Sequence, residues 1–154
     1  MQSHTLTANQ HRAIDLAKEG LVQAAEKLLE DVQVKDIPRR NLGDSQLRNL
    51  MAVANETESP AVICNFLRYQ VGRDPKGNNW GKNIYGQKLG DHFIQQLEGE
   101  QGAITRALKD AGLQDLEGVQ RQLARMTLIR HFLGFASRYL KYLDPQRSAS
   151  ERHH

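Results

Sequence analysis

With 154 residues, of which 39% are hydrophobic and 25% charged, the chain has the size of one domain with one core and lies outside the composition of disordered proteins. No apolar run approaches the roughly 18 residues of a membrane span, the Met1–Thr7 start has no signal-peptide core, and a single cysteine, Cys64, leaves no partner for an intramolecular disulfide or a multi-cysteine zinc site. A cytoplasmic protein away from membranes is expected, and its net charge of +3 is too small to name a partner.

The first predicted helix runs from about Ala8 to Val32. Thr7 and Gln10 have the spacing of a capping box, and Ile14, Ala17, Leu21, Ala25, Leu28 and Val32 recur at steps of three or four. Pro38 interrupts the pattern between Lys35 and Gly43. A short second helix follows, with Leu47, Leu50, Met51 and Ala54 on one face and Asp44 or Ser45 as its cap. Ser59-Pro60 opens the third, which carries Ile63, Phe66, Leu67 and Tyr69 and ends near Gly72.

From Gly72 to Gln87 the apolar period disappears, and Gly72, Gly77, Gly81, Gly86 and Pro75 mark a long loop of the functional or disordered kind. A fourth helix over Lys88–Leu97 and a fifth over Gln101–Ala111 resume the periodicity. The last helix is the longest, about Asp115–Leu143, and Asp144-Pro145 is expected to stop it. Beyond Thr127 it is apolar nearly all round, so it must be covered by its own domain or by a second chain. Phe132, Phe135, Tyr139 and Tyr142 are the candidate protein-interface residues. No stretch alternates with period two, so no sheet is predicted. The expected fold is an all-α, single-domain bundle of five to six helices over residues 1–145, with a flexible tail over 146–154.

No catalytic constellation emerges, so no enzyme activity, cofactor or metal is expected. His11, His92 and His131 are far apart in sequence, and His153-His154 close the chain. Cys64, within Val62-Ile63-Cys64, reads as a small core residue. Phosphate-loop, nucleophile-elbow and zincin motifs are absent.

The better candidates are cationic. Residues 35–90 hold nine basic against five acidic side chains, as do residues 106–154, whereas residues 1–34 and 91–105 are net acidic. That division suits a polyanion on one side and protein on another. Lys35, Arg39 and Arg40 flank Pro38; Arg73, Lys76 and Lys82 punctuate the glycine-rich loop beside Trp80 and Tyr85. These residue types contact phosphates and stack on bases, but Trp80 and Tyr85 could equally pin the loop to the core. Arg121 and Arg125 lie one turn apart on the last helix, with Arg130, Arg138 and Lys141 further along, either tracking phosphates or forming a solvated or ion-paired face.

The segment Gly43-Asp44-Ser45-Gln46-Leu47-Arg48-Asn49-Leu50 resembles the Ser-Gln-Leu-Arg helix start of the small helical subunits of type III CRISPR effector complexes. The chain length, the helical content and the Tyr/Leu-rich stretch Arg138–Leu143 are also similar to that family. The resemblance implies a non-enzymatic subunit of a ribonucleoprotein filament in antiviral defence. Such a subunit contacts the backbone of guide and target RNA and neighbouring subunits, copies of itself included. Arg48 is the motif residue suited to phosphate, although its stem could instead pack beside Leu47 and its head pair with a carboxylate. The remaining alternative is a helical protein–protein module that touches no nucleic acid.

Overall fold

The computed structural model describes residues 5–33 and 43–152, so Arg39 and Arg40 lie outside the described residues. Six helices account for most of it: α1 (Ala8–Gln33), α2 (Asp44–Glu56), α3 (Pro60–Gly72), α4 (Leu89–Glu98), α5 (Ala103–Asp110) and α6 (Gly118–Arg152). A two-residue antiparallel pair, β1 (Asn83–Ile84) and β2 (Gln87–Lys88), precedes α4. The fold is all-α apart from this ribbon.

Local chemistry explains most boundaries. At the start of α1 the Thr7 amide donates to Gln10 Oε1 (2.8 Å) and the Gln10 amide to Thr7 Oγ1 (3.1 Å), the reciprocal cap expected from the spacing. Pro60 opens α3, where the missing N–H removes no helical bond. The capping position is neither Asp44 nor Ser45, the residues expected there. The helix begins at Asp44 itself, so the capping position falls on Gly43, which has no side chain to offer.

The three largest departures from the sequence-based expectation have physical causes. The loop after Gly72 contains the β1–β2 ribbon because Tyr85 (φ 55°) and Gly86 (φ 82°) close a tight turn of the kind that matches strand twist. Two-residue strands are too short to show any alternation. The last helix starts at Gly118 rather than Asp115, since Gly118 at φ 57° cannot continue a right-handed helix from residues before it. It also runs through Asp144-Pro145 to Arg152. Helix propagation adds one bond per residue fixed, so the bond lost at a single proline can be outweighed when helix-compatible residues follow.

α6 is the centre of the bundle and packs on α1, α2, α3 and α5. Ala124, Met126, Leu128, Ile129, Phe132, Leu133, Ala136 and Leu140 are fully buried along it. The cover required by its all-round apolar stretch therefore comes from its own fold. Phe132 is a core residue and has no surface to offer a partner. α4 closes the far side against α3, and α5 packs on α1.

Arg130 is the polar exception on this helix. Its Nε donates to the Ala54 carbonyl (3.0 Å), and its Nη2 donates to the Thr57 carbonyl (2.8 Å) and to Glu58 Oε1 (2.9 Å). The guanidinium thus caps the C-terminal end of α2, where carbonyls lack helical partners. About two turns earlier, Gln122 Nε2 donates to the Glu58 carbonyl (2.6 Å). Together they fix the α2–α3 connection to α6.

A second polar knot orders the glycine-rich loop. The Asp74 carboxylate accepts the amides of Asn78 (3.0 Å), Asn79 (2.7 Å) and Gly81 (2.8 Å). A Cβ on Gly81 would collide with the Asp74 carbonyl, so this approach needs glycine. Burial alone would raise the Asp74 pKa, but the three amides, with Lys88 nearby, bring it below the usual value.

Two predictions follow from these knots. Arg130→Ala should lower unfolding stability by about 2–4 kcal/mol in urea titrations, because partly buried carbonyls lose their donor. Arg130→Lys should recover little, since one ammonium cannot span three acceptors. Asp74→Ala should cost about 1–3 kcal/mol. Because the folded pKa of Asp74 is depressed, its contribution is full above its ordinary value of 3.8 and is lost as pH falls through the lower folded value. Stability below that pH should therefore differ little between Asp74→Ala and wild type.

Candidate functional site

The cationic side chains singled out from the sequence divide by burial. Trp80 is 3% exposed and meets Phe93 edge to face, with ring centroids 5.1 Å apart. It pins the loop to α4 and has no free face for a base. Lys82 is also inside, 8% exposed. The cause is local: the Leu89 amide donates to the Lys82 carbonyl (2.7 Å) and the Gly90 amide to the Trp80 carbonyl (2.9 Å), which draws residues 80–82 beneath α4. These two positions are removed from the nucleic-acid surface.

Arg48, Arg73, Lys76 and Arg121 are exposed, and Arg125 is half-buried. Arg73 lies over the exposed ring of Tyr69, 5.7 Å from its centroid. Arg121 donates through Nη1 to the Gln114 carbonyl (3.1 Å), which holds its stem along the α5–α6 connection. Arg68, on α3, pairs with Glu98 (2.6 Å). Arg68 and Arg125 both bear electrostatically on the Cys64 thiol and lower its pKa, against the larger opposite effects of burial and Glu98. The sequence placed Arg121 and Arg125 one turn apart; the fold packs α3, which carries the exposed Arg68, against the same helix.

Cys64 itself is buried, and its thiol is pushed up to about 12, first by burial and then by Glu98, to which it hydrogen-bonds. Such a thiol stays protonated at neutral pH. His92 donates through Nε2 to the Ile84 carbonyl (2.7 Å), linking α4 to the ribbon. His131 stacks on Phe135 with centroids 6.2 Å apart. Among the described residues, no three His, Cys, Asp or Glu side chains are arranged to hold a metal ion, and no helix is long and apolar enough to cross a membrane.

The candidate protein-interface residues also separate. Phe135 is half-buried against His131, with Arg138 lying 5.9 Å from its ring. Tyr139 donates its hydroxyl to Glu30 on α1, a bond that pushes the phenol up to about 12. Tyr142 stacks on Tyr139 at 5.6 Å and is 63% exposed. Among the described side chains at this end of α6, Tyr142 is the exposed large apolar one.

A cleft of about 560 Å³, bounded by α1, the ribbon, α4 and α5, has no local signature in the sequence. Lys27 and Asp31 of α1, Tyr85 of the turn, His92 of α4, and Arg106 and Asp110 of α5 line it. Lys27 and Asp31 are four residues apart, as are Arg106 and Asp110, so each pair follows helical spacing. That periodicity was visible, but which helices face each other across a cleft is not encoded locally.

The pKa of His131 lies below its ordinary 6.5, first through burial and then through the nearby charge of Lys18. The unfolded chain therefore binds a proton before the folded chain does. This contribution to stability is full above the unfolded value and declines as pH falls. His131→Phe keeps a ring on Phe135 and removes the titration, so the variant should lose less stability than wild type between about pH 7 and pH 5 in denaturant melts. Equal losses would contradict this.

No family model matches the chain, and neither the curated proteins nor the solved structures provide a match.

Proposed function

We propose that the chain is a non-catalytic small subunit of an RNA-guided ribonucleoprotein complex of the type III CRISPR kind, working in the cytoplasm. Basic helix faces meet the RNA backbone in this reading, and neighbouring subunits meet its remaining apolar surface. The observation that carries it is that exposed cations stand on two packed helices, Arg68 on α3 and Arg121 on α6, with Arg125 half-buried one turn from Arg121. Side chains from two helices can follow successive phosphates in a way that one helical face cannot. Arg73 and Lys76 extend the cationic surface beyond the end of α3, and Arg48 lies on α2 within the Ser-Gln-Leu-Arg segment that first suggested the family.

Contacts of this kind are electrostatic and read little sequence. With roughly four to six phosphates neutralised, the logarithm of the RNA association constant should fall against that of salt with a slope of about −3 to −5. Replacing Arg121 and Arg125 together by alanine should bring the slope closer to zero by about 1–2 in a folded protein. An unchanged slope would remove both residues from the interface.

One observation favours a second reading, a helical module that docks only on protein. Tyr142, stacked on Tyr139, is an exposed aromatic at the end of a covered helix. In that case RNA added in low salt would leave the elution volume on size exclusion unchanged, whereas the subunit reading requires a shift.

A further inference from the structure

The cleft between α1, the ribbon, α4 and α5 is built from residues that the RNA-backbone reading does not use. Its volume, about 560 Å³, falls within the size of small-molecule sites. Two cations, Lys27 and Arg106, and two carboxylates, Asp31 and Asp110, line it. Among the described residues no salt bridge joins these four to one another or to any other group. Opposite charges that share a cleft without pairing leave both signs available to a ligand.

The remaining walls narrow the class of ligand. Tyr85 is held at the turn by a left-handed backbone (φ 55°) and is 66% exposed at the cleft. The Ile84 carbonyl only accepts, so His92 donates its Nε2–H there and its ring is fixed at the cleft wall. The site thus holds donors for an anion, acceptors for N–H groups and an aromatic face. A nucleotide has the complementary groups on one molecule: a phosphate, a stacking base and, in guanine, adjacent ring and exocyclic N–H donors that a carboxylate can accept. Uracil presents carbonyl oxygens flanking its single N–H and would meet Asp31 or Asp110 poorly.

We infer that this cleft binds a single guanosine nucleotide, with Lys27 and Arg106 on its phosphate, Tyr85 against its base and a cleft carboxylate on its Watson–Crick edge. The nucleotide is either an unpaired position of an RNA strand or a free mononucleotide. The strand source rests on the RNA reading above; the site itself does not.

The test is titration of isotope-labelled full-length protein with guanosine monophosphate, uridine monophosphate and inorganic phosphate, followed by amide chemical shifts. The expected result is saturable shifts at Lys27, Tyr85, His92 and Arg106 with guanosine monophosphate, and affinity for uridine monophosphate and for phosphate lower by about tenfold or more. Tyr85→Asn, which suits a left-handed position, should weaken binding by about fivefold or more. Lys27→Ala with Arg106→Ala should do so by about tenfold or more. No shifts at the cleft, shifts centred elsewhere, or an equal response to phosphate alone would overturn the proposal. So would a response only to mixed-charge peptides, which would make the cleft a protein-docking site.

A uridine oligomer with one internal guanosine distinguishes the sources. Cleft shifts with this strand, absent with the all-uridine strand, assign the nucleotide to RNA; shifts with the mononucleotide alone assign it to a free ligand. Arg121→Ala with Arg125→Ala should leave the mononucleotide response unchanged. Loss of the cleft response with salt-dependent RNA binding intact overturns this inference only. The converse result overturns the backbone reading only.

Discussion

A helix that is apolar on nearly every side can persist in water only if something encloses it, and α6 imposes that constraint on the whole molecule. Between Ala124 and Leu140 its buried residues point in all directions and reach α1, α2, α3 and α5. Burial of this kind is the dominant favourable contribution to folding. It also leaves little freedom in the order of the surrounding helices. Arg130 turns the same helix into a polar fastening point, because its guanidinium reaches the end of α2 and the turn that begins α3. The positions of α2 and α3, and hence of Arg48, Arg68 and Arg73, depend on that attachment.

Enclosure of α6 changes what its sequence signifies. Phe132 and its neighbours do not require a second chain, and among the described side chains toward the C-terminal end Tyr142 is the exposed large apolar one. The amino-terminal half, by contrast, displays Arg121 outward and Arg125 at a half-buried position beside α3. One helix thereby supplies the core and carries the main cationic candidates. The glycine-rich loop follows the same division of labour. Asp74 and Trp80 hold it from within, while Tyr85 remains exposed at the edge of the cleft.

The helices were legible because their information is local. Three- and four-residue spacings located Ile14, Leu21, Leu47 and Leu50 on buried faces, and Thr7 with Gln10 announced a cap that forms. The ribbon was not legible, since two strands of two residues carry no periodicity. Nor was the burial of Trp80 and Lys82, because a loop lysine and tryptophan look the same whether they face water or a helix arriving ten residues later. Arg130 shows the general difficulty. Its partners lie more than 70 residues away, and nothing around it distinguishes a cap for another helix from a cation awaiting phosphate. The candidate RNA surface was visible as charge in sequence, and its assembly from α3 and α6 was visible only in three dimensions.

The central functional claim is that RNA lies across the α3–α6 cationic face. Amide hydrogen exchange of the full chain, with and without an unstructured RNA of roughly thirty nucleotides in low salt, tests it most directly. The account predicts added protection over the carboxyl end of α3 and the first turns of α6, around Arg121 and Arg125. Unchanged protection there, with RNA demonstrably bound elsewhere on the chain or not at all, would contradict it.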